Sequence, residues 1–151
     1  MDNFSIEFGS AATPFSDAYL QEVEDALGTT FPESYANFLR STNGGVPVAK
    51  YFDIGTNVKV VERFLSLVEH YKTDDFGIYD VEVVWSQIDD RLDDGVWPFA
   101  IAFAGDFLCF DGRSGDRQSV VLWDQDRSDI DSPHLIPIAP DFDSFLKMLH
   151  G

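Results

Sequence analysis

Residues 22–46, EVEDALGTTFPESYANFLRSTNGGV, decide the fold, because two amphipathic helical patterns are separated here by a short turn. The first helix is predicted to end before Gly28, since glycine adopts a positive φ without a Cβ clash. Pro32 suits the first position of the second helix, where its missing N–H loses no intrahelical hydrogen bond. We attribute the following Asn43-Gly44-Gly45 to backbone geometry, because glycines form turns that other residues resist. The segment predicts a helical hairpin.

Both helical patterns carry an apolar stripe, as expected of helices that pack against a core. Ser16 is suited to be the N-cap of the first helix. Asp17 places a negative charge in the first turn, where the helix dipole favours it. The apolar positions are Leu20, Val23 and Leu27 in the first helix and Tyr35, Phe38 and Leu39 in the second.

The order of these signals is more specific than any one of them. An acidic helix ending in Leu-Gly is followed by Phe-Pro-x-x-Tyr-x-x-Phe-Leu and then by Asn-Gly-Gly. This order resembles the N-terminal signature of the SUKH superfamily, which includes regulators of yeast cell-wall assembly and many bacterial toxin-immunity proteins. Typical members have leucine before the proline, and this chain has a bulkier apolar residue there. The resemblance is carried by Leu27, Gly28, Phe31, Pro32, Tyr35, Phe38, Leu39, Asn43, Gly44 and Gly45.

Strands are predicted from residue 46 onward. Residues 97–103, WPFAIAF, are apolar on both faces, as in a central strand. They lead through a Gly-Asp turn into residues 107–110 and then 118–123, which predicts an antiparallel meander of three strands. This pattern also resembles the second half of a SUKH domain. Residues 63–68 suit either a strand or the start of a helix, and the resemblance favours a strand over residues 64–67.

Two further helices are predicted, over residues 79–92 and 141–149, from apolar residues at helical spacing. Asp80 is placed to cap the first of them. The alternation over residues 4–8 suits a short strand or an extended arm. Together with the resemblance, these patterns predict a single SUKH-like α+β domain over residues 1–151. It would have a largely antiparallel sheet and N-terminal, middle and C-terminal helices.

The chain is strongly acidic, with 27 acidic and 10 basic residues and a net charge of −17. Such a surface repels nucleic acid and anionic membranes and attracts basic proteins, with association that weakens as salt rises. Solubility alone would explain the acidity equally well. The sequence after Met1 shows neither the basic nor the apolar region of a signal peptide, so a cytoplasmic protein is expected.

No catalytic, metal or cofactor motif stands out. Cys109 lies in an apolar run and is expected to be a buried thiol. The three histidines, His70, His134 and His150, lack metal-ligand spacing. The aspartate-rich residues 124–131 lack the glycine and the glutamate that an EF-hand loop requires. We therefore predict no catalytic residues, no metal, no cofactor and no enzymatic activity; a small-ligand domain would need a compact apolar pocket.

The resemblance implies an immunity protein that binds and neutralises a cognate bacterial toxin by direct contact. The charge suits a basic toxin of the nuclease type, since a nuclease site must hold phosphates. The partner is therefore expected to be a basic protein, and neither nucleic acid nor a membrane. A regulatory or scaffold module of the cell-wall-regulator type is the alternative.

The expected partner-binding site is an acidic patch. Several of its aspartates lie at or beyond a predicted helix C-terminus, where they oppose the helix dipole. Such a cluster favours a role besides stability, although a solvated loop would look the same. Trp97 and Trp123 are either exposed interface anchors or core residues. The patch comprises Asp89, Asp90, Asp93, Asp94, Asp124 and Asp126.

Overall fold

A computed structural model describes residues 4–115, 117–129 and 132–151, without the side chains of residues 126–129, 132 and 133. The described residues form four α-helices and a six-stranded sheet whose strand order follows the chain, with every neighbouring pair antiparallel. The predicted α+β architecture is confirmed. The helices are α1 (Asp17–Leu27), α2 (Glu33–Ser41), α3 (Val81–Ile88) and α4 (Phe142–Met148). The strands are β1 (Tyr51–Ile54), β2 (Asn57–Phe64), β3 (Val96–Ala102), β4 (Phe107–Asp111), β5 (Ser119–Asp129) and β6 (Ser132–Ala139).

The helix ends follow the local rules of capping. Ser16 Oγ accepts the N–H of Tyr19 at 3.1 Å, so Ser16 is the N-cap of α1 as predicted. Gly28 ends that helix with a φ of 72°, which is the left-handed conformation that glycine tolerates. The carboxylate of Asp141 caps α4 by accepting the N–H of Ser144 at 2.8 Å.

Three helices begin later than the sequence predicts, and α4 does so by a single residue because Asp141 is its N-cap. Pro32 is the N-cap of α2 and precedes its first residue by one position. The helix predicted over residues 79–92 is limited to α3, because Asp80 is extended at its start (φ −65°, ψ 135°) and Ile88 leaves helical geometry at its end (φ −129°). Short 3₁₀ turns flank it on both sides.

The predicted strand over residues 64–67 is only partly present. β2 ends at Phe64, and beyond it the Leu65 N–H still donates to the carbonyl of Phe99 at 2.9 Å. Ser66 then forms a single parallel bridge with Asp80. Beyond it, the backbone N–H groups of Leu67 and Val68 donate to the side chains of Asn43 and Asp80 instead of to a neighbouring strand.

An aromatic core lies between the helices and the sheet. Tyr35 of α2 is completely buried, with ring centroids 5.1 Å from Phe110 and 5.2 Å from Phe142 of α4. Phe31 stacks on Trp97 at 4.6 Å and thereby fixes the start of α2 against β3. Trp97 and Trp123 are each only 2% exposed, so both are core residues and the exposed-anchor interpretation is wrong.

The N-terminal residues form an arm, since Ile6 makes only an isolated bridge with Pro47. The ring of Phe4 packs against Phe38 and Phe64, with centroids 5.8 and 5.9 Å away. The arm therefore covers the aromatic core where α2 and the end of β2 meet. Phe8 points into solvent.

Candidate functional site

The glycines of the Asn-Gly-Gly segment take conformations that other residues resist. Gly44 has a φ of 76° and Gly45 a φ of 112°. A Cβ on Gly44 would overlap the carbonyl oxygen of Leu65 and the hydroxyl of Ser66. Gly45 exchanges two backbone hydrogen bonds with Phe64, at 3.1 and 2.8 Å. The segment thus lies directly against the end of β2, where a side chain would have no room.

Asn43 holds this segment in place through its buried side chain, a role that the sequence interpretation missed. Its Nδ2 donates to the carbonyls of Thr13 and Leu67, at 2.8 and 2.7 Å. Its Oδ1 accepts the N–H of Leu67 at 2.8 Å, and its own carbonyl accepts the hydroxyl of Ser66 at 2.7 Å. Since buried polar groups require partners, this one amide ties the N-terminal segment to the chain beyond β2.

Asp80 is a second buried junction. Its Oδ1 accepts from the Tyr19 hydroxyl at 2.8 Å and from the Val68 N–H at 2.7 Å, and its Oδ2 accepts from the Val83 N–H at 3.1 Å. Burial raises the pKa of this carboxyl, and the hydrogen bonds offset part of that rise. The side chain has no exposed surface, so we assign it to holding α1 and α3 together.

Four of the predicted patch residues lie together at the end of α3. Asp89 is the C-cap of α3 and begins the 3₁₀ turn Asp89–Arg91, and the other three follow within five residues. All four are exposed, and the last turn of α3 contains no basic residue. We call Asp89, Asp90, Asp93 and Asp94 the acidic turn.

One cation is already bound to the acidic turn. The Arg113 guanidinium forms ion pairs with Asp93 at 2.7 Å and with Asp111 at 2.8 Å. Its hydrogen bonds hold the pKa of the Asp111 carboxyl below its usual range. Among the described residues Asp89, Asp90 and Asp94 have no such partner, so most of the charge of the turn faces solvent.

A cleft of about 290 Å³ opens beside the acidic turn. Its apolar surface includes the half-buried indole of Trp85, and its polar surface is three carboxylates of the acidic turn. An apolar wall with carboxylates nearby suits a lysine or arginine side chain, whose stem is apolar and whose end is charged. The lining residues are Leu27, Gly28, Trp85, Asp89, Asp93, Asp94, Gly95, Val96 and Trp97.

Sequence reasoning placed Trp85 on the apolar stripe of a helix and did not select it as a site residue. The signal that could have identified it is its position one helical turn before Asp89, because residues four apart share a helix face. Leu27 and Gly28, named above for the first helix and for the family signature, also line this cleft.

The two remaining patch residues lie on β5, apart from the acidic turn. Asp124 is only 9% exposed and pairs across the sheet with His134. The side chain of Asp126 lies outside the described residues. The acidic turn nevertheless reaches β5 through Arg91, whose guanidinium lies 5.2 Å from the ring centroid of Trp123 and 3.5 Å from Gln125 Oε1.

Other chemically notable groups offer little. The Cys109 thiol is completely buried, and burial raises its pKa. In the part of the chain that the structure describes, no group of three or more histidine, cysteine or acidic side chains is arranged to hold a metal ion. None of the described helices has the length and apolar character needed to cross a membrane.

Comparison with curated proteins gave no match. The model of the SMI1/KNR4 family, SUKH-1, matches residues 14–148, which contain all four helices and all six strands described above. The family includes toxin-immunity proteins and yeast cell-wall regulators, and its members are generally non-catalytic and act through protein–protein interaction. This chain belongs to the SMI1/KNR4 (SUKH-1) family.

Proposed function

We propose that this protein is an immunity protein that binds a basic bacterial toxin domain and neutralises it by direct contact. The observation that carries the proposal is the acidic turn, whose four aspartates are exposed and three of which line a cleft, on a chain of net charge −17. Membership of a family that includes immunity proteins supports the same role.

Electrostatics favour such a pairing at the stage of encounter. A surface of one sign steers a partner of the opposite sign and raises the association rate, by an amount that falls with ionic strength. A nuclease toxin would be a suitable partner, because its site must be basic to hold phosphates. An acidic inhibitor seated there would exclude nucleic acid from the same site.

The cleft beside the acidic turn supplies a specific contact for such a partner. A lysine or arginine of the toxin could lay its stem along Leu27 and Trp85 and direct its charge toward Asp89 and Asp94. The indole face of Trp85 would add a cation–π contact, of about 0.5–2 kcal/mol.

The decisive experiment is titration of the purified protein with the product of the adjacent gene, at low and at high salt. We expect tight binding that weakens as salt rises, together with loss of the neighbour's toxicity on co-expression. Absence of binding at both salt concentrations would overturn the proposal.

Charge-reversal variants locate the contact. Asp89→Lys/Asp90→Lys should slow association and reduce its salt dependence. The matched control is Glu7→Lys/Asp75→Lys, which changes the net charge equally at exposed positions outside the acidic turn. Equal slowing by both variants would mean that total charge, and not the acidic turn, governs binding.

A regulatory or scaffold role is the second candidate, since the family also includes yeast cell-wall regulators. It would be favoured by a neutral or acidic partner that binds independently of salt and is not toxic on its own. The same titration separates the two roles, because only electrostatic capture requires salt dependence.

A further inference from the structure

The turn between β3 and β4 presents a large apolar side chain to solvent. Residues Phe103, Ala104 and Gly105, which we call the knuckle, form the tight connection between the two strands, and Phe103 is 67% exposed. The hairpin is closed below it by a hydrogen bond of 2.8 Å from Ala102 N–H to the carbonyl of Asp106. Leaving a phenylalanine ring in water forfeits most of the free energy that its burial would supply.

The backbone of the knuckle is also strained. Ala104 has a φ of 68°, and no other non-glycine residue in the described part of the chain has a positive φ. For alanine the left-handed conformation costs about 1–2 kcal/mol, whereas glycine would adopt it freely. Ala104 and Gly105 (φ 84°) together have the positive φ values that a tight two-residue hairpin turn requires, so the strained turn fixes where Phe103 is presented.

A shallow cleft of about 340 Å³ adjoins the knuckle. Its walls include Phe103 and the 59% exposed side chain of Val58, and its floor includes Ala102 and Leu122. Two carboxylates, of Asp106 and Asp124, and the ammonium of Lys59 complete the lining. Exposed polar surface exceeds apolar surface in this cleft, so the large apolar groups that a partner could bury there are the side chains of Phe103 and Val58, surrounded by charged groups.

The knuckle and the acidic turn are joined through one residue, Gln125. Its Nε2 donates to the carbonyl of Gly105 and its backbone N–H donates to Asp106 Oδ1 at 3.1 Å. Its Oε1 lies 3.5 Å from Nη1 of Arg91, in the 3₁₀ turn that begins the acidic turn. Both features thus lie beside the same part of β5, and one partner could contact both.

We propose that the knuckle is the apolar anchor of the interface with the basic protein partner, and that Phe103 is its dominant contact. This inference rests on the proposed function and adds to it the residue that holds the complex together after electrostatic encounter. The occupant is argued from charge: a basic surface complements the acidic turn next to the knuckle. A second copy of this chain would also carry a net charge of −17 and would be repelled.

The two features have distinct kinetic signatures. Truncating an apolar anchor mainly accelerates dissociation, whereas changing exposed charges mainly slows association. We therefore expect Phe103→Ala to weaken binding at least about 10-fold through a faster dissociation rate, with the salt dependence unchanged. Asp89→Lys/Asp90→Lys should act on the association rate instead.

The experiment measures association and dissociation rates for the adjacent-gene product with the wild-type protein, Phe103→Ala and Phe8→Ala. Phe8→Ala is the matched control, because it removes another solvent-exposed phenylalanine ring, outside the knuckle. Both side chains are exposed in the free protein, so both variants should retain the wild-type melting temperature. Ala104→Gly keeps the phenylalanine and relieves the strain, and should bind within a few-fold of wild type.

Each outcome supports or overturns the inference. Selective loss of affinity in Phe103→Ala would support it. Wild-type affinity in Phe103→Ala would overturn it while leaving the proposed function intact, whereas a wild-type protein that does not bind would overturn both. A wild-type dimer that becomes monomeric on Phe103→Ala would show that a second copy occupies the knuckle and would also overturn it.

Discussion

The hydroxyl of Tyr19 donates a hydrogen bond of 2.8 Å to the carboxylate of Asp80, across 61 residues of chain. The bond joins α1 to the N-cap of α3, and the same carboxylate also accepts the N–H of Val68. Three segments of the protein therefore meet at one buried charge. The stability that this carboxyl contributes depends on pH, because its pKa in the folded protein is raised above that of a free aspartate.

The pKa of Asp80 is raised in the folded protein, chiefly by burial. The contribution of this group to stability is fully present below the ordinary pKa of an aspartate, about 3.9, and is lost as pH rises through the raised value. Tyr19→Phe removes a donor to the carboxylate and should raise that pKa further. We expect Tyr19→Phe to lower the free energy of unfolding by about 1–3 kcal/mol at pH 7 and by less near pH 4.

Urea unfolding of the wild type and of Tyr19→Phe at both pH values checks this. Tyr51→Phe is the control, because it removes a tyrosine hydroxyl that lies outside the Asp80 junction. Glu82 acts electrostatically on the junction and Glu22 acts on Glu82, and both proteins carry these residues unchanged. A loss of stability that is the same at both pH values would mean that Asp80 does not change its protonation state between them, and would contradict the prediction.

Gly44 should tolerate no side chain. An alanine at this position would have to adopt a φ of 76°, and its Cβ would overlap the backbone of Leu65. We expect Gly44→Ala to destabilise the protein by about 3 kcal/mol or more, through strain and steric overlap together. Gly55→Ala is the matched control, because Gly55 has a φ of 60° but open space around its Cα, so only the backbone strain of about 1–2 kcal/mol remains. Equal losses in thermal or urea unfolding would contradict the crowding at Gly44.

Local signals predicted much of this fold, because they act over a few residues. Ser16, Gly28 and Asp80 end or begin helices as their side chains require, and the apolar run of β3 became a central strand of an antiparallel sheet. The two tryptophans that the sequence left undecided are core residues, since neighbouring strands and helices cover them from positions distant in the chain.

The polar junctions could not be predicted, because their partners are remote in sequence. The Asn43 amide bonds to Leu67, and the Asp80 carboxylate bonds to Tyr19, and neither pairing leaves a trace in spacing or periodicity. The same limit applies to the candidate site. In the sequence, the acidic turn can be recognised as four aspartates within six consecutive residues. The cleft beside it cannot, because it depends on how Leu27 and Trp85 are brought together in the fold.

The hydroxyl of Tyr35 is buried in the aromatic core and has no hydrogen-bond partner among the described residues. Desolvation raises the pKa of the phenol, so the group is neutral at all ordinary pH values. Because a buried donor without a partner costs about 1–3 kcal/mol, Tyr35→Phe should raise the free energy of unfolding, by about 1 kcal/mol. Chemical denaturation with an unchanged m-value would measure this, and a marked loss of stability in Tyr35→Phe would show that the hydroxyl is satisfied in solution.

The acidic turn should lower the stability of the free protein. Asp89 and Asp90 follow the last turn of α3, where negative charge opposes the helix dipole and no basic residue of the helix offsets it. Asp89→Lys/Asp90→Lys should therefore raise the melting temperature at low salt, by an amount equivalent to about 0.5–1 kcal/mol, even though it slows binding. Glu7→Lys/Asp75→Lys relieves the net charge equally and measures how much of the gain is general repulsion. The difference between the two variants should shrink in high salt, because exposed charges are screened there. If Asp89→Lys/Asp90→Lys proved less stable than Glu7→Lys/Asp75→Lys, Asp89 and Asp90 would have to stabilise the turn in the free protein. Their acidity would then be explained without a role in binding.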